Sequence, residues 1–265
     1  MKIPSRIVRR SEVSSTNDVL KELAKNGEPE GVVLVAASQT HGRGRMGRAW
    51  TSPEGGLYFS ILLRPDLKAK ELLRMTVFSC VPFAEAVEAV TGARVEVKWP
   101  NDLEIEGKKV GGILVEGVSK LNRIDSVIIG IGINANAPVP PDLSEAASLS
   151  EILRREIDLD ELLTECLRRF DGFYSDFVKG ELPEDEYKKG SSVLGAEVEA
   201  RMGNQSVTGK ALHVNKDGSL TIRTDEGPLI RLGWVSDTTL RVVAPRAEPR
   251  KDYYRKHNSF AKSGM

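Results

Sequence analysis

Gly42-Arg43-Gly44-Arg45-Met46-Gly47-Arg48-Ala49-Trp50-Thr51-Ser52-Pro53-Glu54-Gly55-Gly56 contains Gly42-x-Gly44-x-x-Gly47, the glycine spacing of a dinucleotide-binding loop. That spacing has its meaning only where a helix follows, because the pyrophosphate is received at the helix N-terminus. Here Pro53, Gly55 and Gly56 interrupt the chain, and Leu57 to Leu63 reads as a strand. The P-loop pattern fails as well, since no Lys-Ser or Lys-Thr follows the last glycine. The loop joins two strands and is not a dinucleotide cradle. It carries three guanidiniums in a chain that balances 38 basic against 38 acidic residues, so the charge is local. An arginine fork matches carboxylate and phosphate oxygens, and glycines let backbone approach a ligand closely. A solvated basic loop is the alternative. Against it stand the flanking Gln39, which can donate and accept, and Trp50, which can cover a flat ligand.

Upstream, Ser15-Thr16-Asn17-Asp18 is a run of N-cap residues. Val19, Leu20, Leu23 and Ala24 then recur at helical spacing up to Asn26-Gly27. Val32 to Ala37 is a strand that delivers the chain into the arginine loop. Downstream, residues 69–90 predict one long helix. Val95 to Lys98 reads as a strand, Leu103 to Val115 as a hairpin turning at Glu106-Gly107, and Val127 to Asn134 as a buried strand. Apolar residues from Leu159 to Phe177 step by three and four, which predicts an amphipathic helix of about five turns. Composition shifts around Gly180 to Gly190, and from about Val193 to Val243 short strands alternate with glycine turns, as in a small β-barrel.

Two further segments can carry chemistry. Lys98-Trp99-Pro100-Asn101-Asp102 packs a cation, an aromatic, a rigid turn residue and two polar acceptors together, though Pro, Asn and Asp are also ordinary turn residues. The hairpin brings Lys109 back toward the Asn101-Asp102 end, followed by Gly111-Gly112. In Gly130-Ile131-Gly132-Ile133-Asn134, strand alternation puts the isoleucines on one face and Gly130, Gly132 and Asn134 on the other. A flat group such as a purine fits over that stripped face, with Asn134 at its edge. Tight packing of a helix on glycine is the alternative.

Zero net charge argues against bulk binding to nucleic acid or anionic membrane. No apolar run approaches the roughly 20 residues of a membrane span, and the N-terminus lacks a signal-peptide core. Cys80 and Cys166 are expected as buried thiols, in keeping with a cytoplasmic protein. His41, His213 and His257 have no metal-ligand spacing, so no protein metal cage is expected. No nucleophilic triad is visible, and the chemistry suggested is electrostatic: hold an anion and let two substrates meet. The basic stretch after Arg246 is expected to be a disordered tail.

Taken together, the segments around Ser15-Thr16-Asn17, Gln39, Gly42 to Arg48, Lys98 to Asp102, Lys109 to Glu116 and Gly130 to Asn134 resemble the biotin protein ligase family in order and spacing. The resemblance runs from about residue 6 to 243. It implies an α+β fold, a mixed or antiparallel sheet with helices in the class II synthetase-like arrangement of biotin and lipoate ligases, over residues 1–188. An SH3-like C-terminal barrel over 189–245 and a tail over 246–265 complete it. The implied reaction has two steps, formation of biotinyl-5′-AMP from biotin and ATP, then transfer to a lysine of a biotin carboxyl carrier protein. Mg²⁺ enters with the phosphates.

The residue roles follow from the resemblance. Arg43, Arg45 and Lys109 are cations for the biotin carboxylate and the phosphates. Ser15, Thr16, Asn17, Gln39, Gly44 and Gly112 belong to the biotin side. Arg48, Trp50, Asn101, Gly132 and Asn134 belong with Arg45 to the ATP side. Asp102 orients or deprotonates the incoming lysine, whose free pKa is near 10.4. His41 stands where the family often has alanine and receives no role. A dozen residues before Ser15 are too few for a DNA-binding domain, so no repressor role is expected; a homodimer through sheet edges is permitted. Lipoate ligase fits less well, because the arginine loop and the Lys98–Asp102 segment belong to the biotin branch, and a non-enzymatic sensor is the other alternative. The arginine loop is expected to act as a lid over the adenylate, mobile when empty.

Overall fold

The computed structural model describes residues 2–120, 123–203, 205–233 and 238–244. The expected tail over 246–265 lies outside the described residues. Seven strands form one mixed sheet: β1 (Arg6–Val13), β2 (Val32–Gln39), β3 (Leu57–Leu63), β4 (Glu96–Lys98), β5 (Asp102–Ile105), β6 (Lys108–Lys120) and β7 (Arg123–Ile133). Their spatial order is β1-β2-β3-β7-β6-β5-β4, with only β1 and β2 parallel. β1 escapes a sequence reading because Arg6, Arg9 and Arg10 break its apolar alternation; it forms as an exposed edge strand beside β2. No helix among the described residues is long and apolar enough to cross a membrane.

Alternation along the central strands sorts the two faces. Val33, Val35, Phe59, Ile61, Ile129, Ile131 and Ile133 enter the main core. α3 (Cys80–Thr91) and α5 (Leu159–Val178) pack on this face. Phe170 is fully buried there, stacked on Phe83 with ring centroids 5.3 Å apart and planes 7° from parallel. Phe170→Ala is expected to cost about 3–5 kcal/mol, the usual price of deleting a core aromatic. A lower denaturant midpoint at unchanged slope would show it.

The helix expected over 69–90 is two helices, α2 (Leu72–Phe78) and α3, meeting at Ser79. Pro82 has no N–H to give to the carbonyl of Phe78, so it sits only in the first turn of a new helix. Hydroxyl bonds from Thr76 to the Leu72 carbonyl and from Ser79 to the Thr76 carbonyl compete with the helix ladder at the same place. Two short helices were not expected. α4 (Leu149–Leu153) is started by a capping box between Ser148 and Glu151, and α6 (Glu184–Gly190) lies inside the composition shift.

The C-terminal strands β8 (Glu197–Met202), β9 (Gln205–Val214), β10 (Leu220–Thr224), β11 (Leu229–Leu232) and β12 (Thr238–Ala244) form a second sheet in the order β11-β10-β9-β8-β12. Among the described residues no pairing closes it into a barrel. Its apolar face, Val198, Ala200, Ala211, Leu220 and Ile222, joins the main core.

Candidate active site

The other face of the large sheet is only half covered. α1 (Thr16–Lys25) lays Leu20 and Ala24 on Val32, Leu34, Leu62 and Ile128. Beyond its N-terminus the sheet is floored by a row of paired residues, Ala36, Tyr58, Gly132, Gly112 and Asp102, on five neighbouring strands. The two glycines in the middle keep the floor low. A cavity of about 720 Å³ opens above it. Every site residue expected from sequence lines this cavity: Ser15, Thr16, Asn17, Gln39, Arg43, Gly44, Arg45, Arg48, Trp50, Asn101, Asp102, Lys109, Gly112, Gly132 and Asn134.

Of the two readings of the glycine stripe, close packing of a helix holds at Gly130, and at Gly132 a side chain occupies the place read for a flat ligand. At Gly130 a Cβ would lie 2.2 Å from Asn17 Oδ1, so the start of α1 packs there. At Gly132 a Cβ would lie 2.6 Å from Trp50 Nε1, so the flat group over the floor is the protein's own indole. That Nε1 is buried without a hydrogen-bond partner. The Lys109 ammonium stands 5.1 Å from the indole ring centroid and 2.6 Å from Asp102 Oδ1. The predicted approach of Lys109 to Asp102 is thus an ion pair across the hairpin.

Asn101 and Asp102 are held by the turn that carries them. Asn101 Nδ2 donates to the Ile113 carbonyl at 2.9 Å, and Ile113 N–H returns to the Asn101 carbonyl at 2.9 Å. Arg45 reaches Asn101 Oδ1 at 3.5 Å. Burial pulls the Arg45 pKa down, opposed by the charge of Asp102, but an arginine stays protonated there. Burial pushes the Tyr58 phenol up to about 12.

The arginine loop is a tight hairpin. Gly44 N–H bonds the Arg48 carbonyl, Trp50 N–H bonds the Gly42 carbonyl, and Met46 takes a left-handed conformation (φ 60°). At Gly42 a Cβ would meet the Trp50 carbonyl oxygen at 2.4 Å, so only glycine fits. Gln39 Oε1 accepts from Thr16 N–H at 2.9 Å, while its Nε2 donates to Ser52 at 2.9 Å. Ser15, at the N-cap position of α1, makes no capping bond with its side chain. His41 is exposed beside Thr40 and does not line the cavity.

Sequence reasoning missed the partners of this set. Both guanidinium Nη atoms of Arg43 donate to the Asp18 carboxylate, and Arg43 lies 3.9 Å from Glu116, which also accepts from Asn17 at 2.7 Å and Lys21 at 2.6 Å. Asp18 followed the Ser15–Asn17 run and Glu116 closed the Lys109 segment, so adjacency was their only signal. The remaining walls had none: residues 137–146, tied to Lys109 by its bonds to Glu145 and Ala147, and Thr238 to Leu240 of β12.

Hydrogen bonding to Arg43 lowers the Asp18 pKa below its ordinary 3.8. The pair therefore contributes stability that is present above pH 3.8 and lost as the pH falls through the lower folded-state value. Because Asp18 is 38% exposed, that contribution is at most about 1 kcal/mol. Asp18→Asn is expected to lower the melting temperature slightly at neutral pH, with the gap to the wild type closing below pH 3.8. A gap independent of pH would count against the ion pair.

A family model described as the biotin/lipoate A/B protein ligase family matches residues 10–134, a span that includes every expected site residue. The bifunctional ligase/repressor BirA of Bacillus spizizenii is 38% identical over 231 residues, covering 83% of this chain and 70% of that protein. The biotin–[acetyl-CoA-carboxylase] ligase of Paracoccus denitrificans is 29% identical over 222 residues, covering 80% of this chain and 92% of the other. Among solved structures, the biotin protein ligase from Aquifex aeolicus in complex with biotin and ATP matches with a TM-score of 0.78 at 35% identity, covering 90% of this chain and 99% of that one.

Proposed function

The chain belongs to the biotin/lipoate A/B protein ligase family, and from that premise we infer that it is an ATP-dependent biotin protein ligase. It forms biotinyl-5′-AMP from biotin and ATP with release of pyrophosphate, then transfers biotin to a specific lysine of a biotin carboxyl carrier protein and releases AMP. The observation that carries this reading is the meeting of Arg43, Arg45 and Lys109 above the Gly112–Gly132 floor, in one cavity of the size ligand sites have.

The residue roles are our assignment. Lys109 and Arg45 neutralise charge where the carboxylate meets the α-phosphate. Arg43, already gripped by Asp18, anchors the loop that carries Arg45 toward the ligand. Ser15, Thr16, Asn17, Gln39, Gly44 and Gly112 take the biotin head. Arg48, Trp50, Asn101, Gly132 and Asn134 take the nucleotide side. Trp50 lies on the floor with an unpaired N–H, an arrangement that costs about 1–3 kcal/mol and favours its displacement by a ligand. We assign it the part of a lid that lifts and then covers the adenylate, keeping a readily hydrolysed anhydride from water.

Two of the carboxylates lining the cavity are held by cations of the same wall. Asp102 is paired with Lys109 and Glu104 with Lys98 at 2.8 Å, and no group of three His, Cys, Asp or Glu side chains meets among the described residues. On this reading Mg²⁺ arrives bound to the phosphates of its substrate. We assign the catalytic work to residues 1–188. The strand order β11-β10-β9-β8-β12, with the first strand of the module between the second and the last, supports an SH3-like module over 189–245. The exposed edge of β1 is where a second copy would add, and sedimentation would decide it. ATP use and two free thiols, Cys80 and Cys166, support a cytoplasmic site of action.

Incubation with ATP, Mg²⁺ and labelled pyrophosphate is expected to give exchange that depends on biotin, with biotinyl-AMP visible by mass spectrometry. Exchange driven by lipoate or octanoate but not by biotin would overturn the assignment.

A further inference from the structure

Trp99 is the largest residue of the Lys98–Asp102 segment, and the reaction as assigned gives it no work. It is 2% exposed, and its indole Nε1 donates at 2.9 Å to the carbonyl of Gly218, in the turn between β9 and β10 of the C-terminal sheet. That turn is a built acceptor. Asn215 Nδ2 donates to the Ser219 carbonyl at 3.0 Å, Ser219 Oγ donates to Asp217 at 2.6 Å, and Arg231 pairs with Asp217 at 2.8 Å. Gly218 adopts φ +85°, and a Cβ there would lie 2.8 Å from the Leu73 carbonyl oxygen and 2.9 Å from Arg74 N. Gly218, whose carbonyl Trp99 grips, therefore packs against α2 with no room for a side chain.

Two and three residues after Trp99 come the groups that hold the cavity's cations: Asn101 with Arg45, and Asp102 with Lys109. We propose that Trp99 is a positioning residue through which the C-terminal module sets the Asn101–Asp102 turn, and with it the places of Arg45 and Lys109. The module then acts on the chemistry by geometry as well as by the β12 residues it contributes to the cavity wall. The part of the proposal that concerns rate rests on the ligase reading. The mechanical coupling of Gly218 to the turn does not.

The test uses the full chain carrying Trp99→Phe, which keeps a ring in the core and removes the N–H. Under conditions where circular dichroism shows it folded, kcat for adenylate formation is expected to fall about 10- to 100-fold, the scale of an ångström misplacement, with a much smaller change in KM for biotin. Amide exchange over residues 98–105 and at Ile113, whose N–H bonds Asn101, is expected to quicken. General loss of stability would leave kcat per folded molecule unchanged. Unchanged kcat, or unchanged exchange, in folded Trp99→Phe overturns the proposal. Wild-type protein without adenylation would instead remove the ligase reading, and exchange alone would decide the coupling. Should Trp99→Phe fail to fold, Asp217→Ala loosens the same turn from its exposed side, and wild-type kcat and exchange in that variant would overturn the proposal.

Discussion

Lys109→Ala is expected to slow biotinyl-AMP formation by about 10²- to 10³-fold, the loss that follows removal of one preorganised charge donor from a site where negative charge meets. Two anionic groups must approach in this step, a carboxylate and a phosphate. Five cations line the cavity, Arg43, Arg45, Arg48, Lys98 and Lys109. Arg43 is committed to Asp18 and Lys98 to the buried Glu104, while Arg45 is partly desolvated beside Asn101 and Arg48 is exposed. The Lys109 ammonium, by contrast, stands over the floor beside Trp50. Its hold on Asp102 is a single pair, and its side chain is still 31% exposed, so it can turn to the ligand at small cost. Lys109→Arg keeps the charge but brings a planar fork to a place shaped for a point donor, and is expected to recover only part of the rate. Pyrophosphate exchange under saturating ATP would measure both, and near-wild-type exchange in Lys109→Ala would remove Lys109 from the adenylation step.

Asp102→Ala is expected to do its main damage in the second half-reaction, lowering transfer to the carrier lysine by about 10²-fold or more, the range of general-base catalysis. An incoming lysine with a pKa near 10.4 is almost wholly protonated at neutral pH and must lose that proton before attack. Asp102 sits on the floor row next to Gly112 and is a quarter exposed, so it can accept a proton and pass it to water. Its bond to Lys109 complicates the result, because the alanine also frees Lys109. The discriminating measurement is single-turnover transfer from preformed biotinyl-AMP, set against adenylation in the same variant. A larger loss in transfer supports the assignment. Equal losses would mean that the Lys109–Asp102 pair works as one unit, serving both steps.

How far the sequence could be read depended on whether a signal was local. The isoleucine–glycine alternation of Gly130 to Asn134 follows from strand geometry alone, and the structure puts Ile131 and Ile133 in the core with Gly132 on the floor. The hairpin return of Lys109 toward Asp102 follows from a turn at Glu106-Gly107, where both residues take positive φ. The break at Ser79 was missed because helical periodicity continues across it, while the effect of Pro82 depends on a lost backbone bond. β1 was missed because an edge strand exposed on both sides has no apolar pattern to display.

By itself, then, the sequence determined the glycines and Asp102 of the floor, the loop and the cations, though not Ala36 and Tyr58 at the floor's other end. Their chemistry lies in residue type and short spacing, and strand periodicity sorts them onto one face. Only the tertiary structure decided what holds them. Asp18 closes on Arg43 across 25 residues, Glu116 gathers Asn17 and Lys21 from more than 90 residues away, and Gly218 anchors Trp99 across 119. Partners at such separations leave no periodicity in the chain. They exist because one sheet face, half covered by α1, brings distant strands to the same cavity.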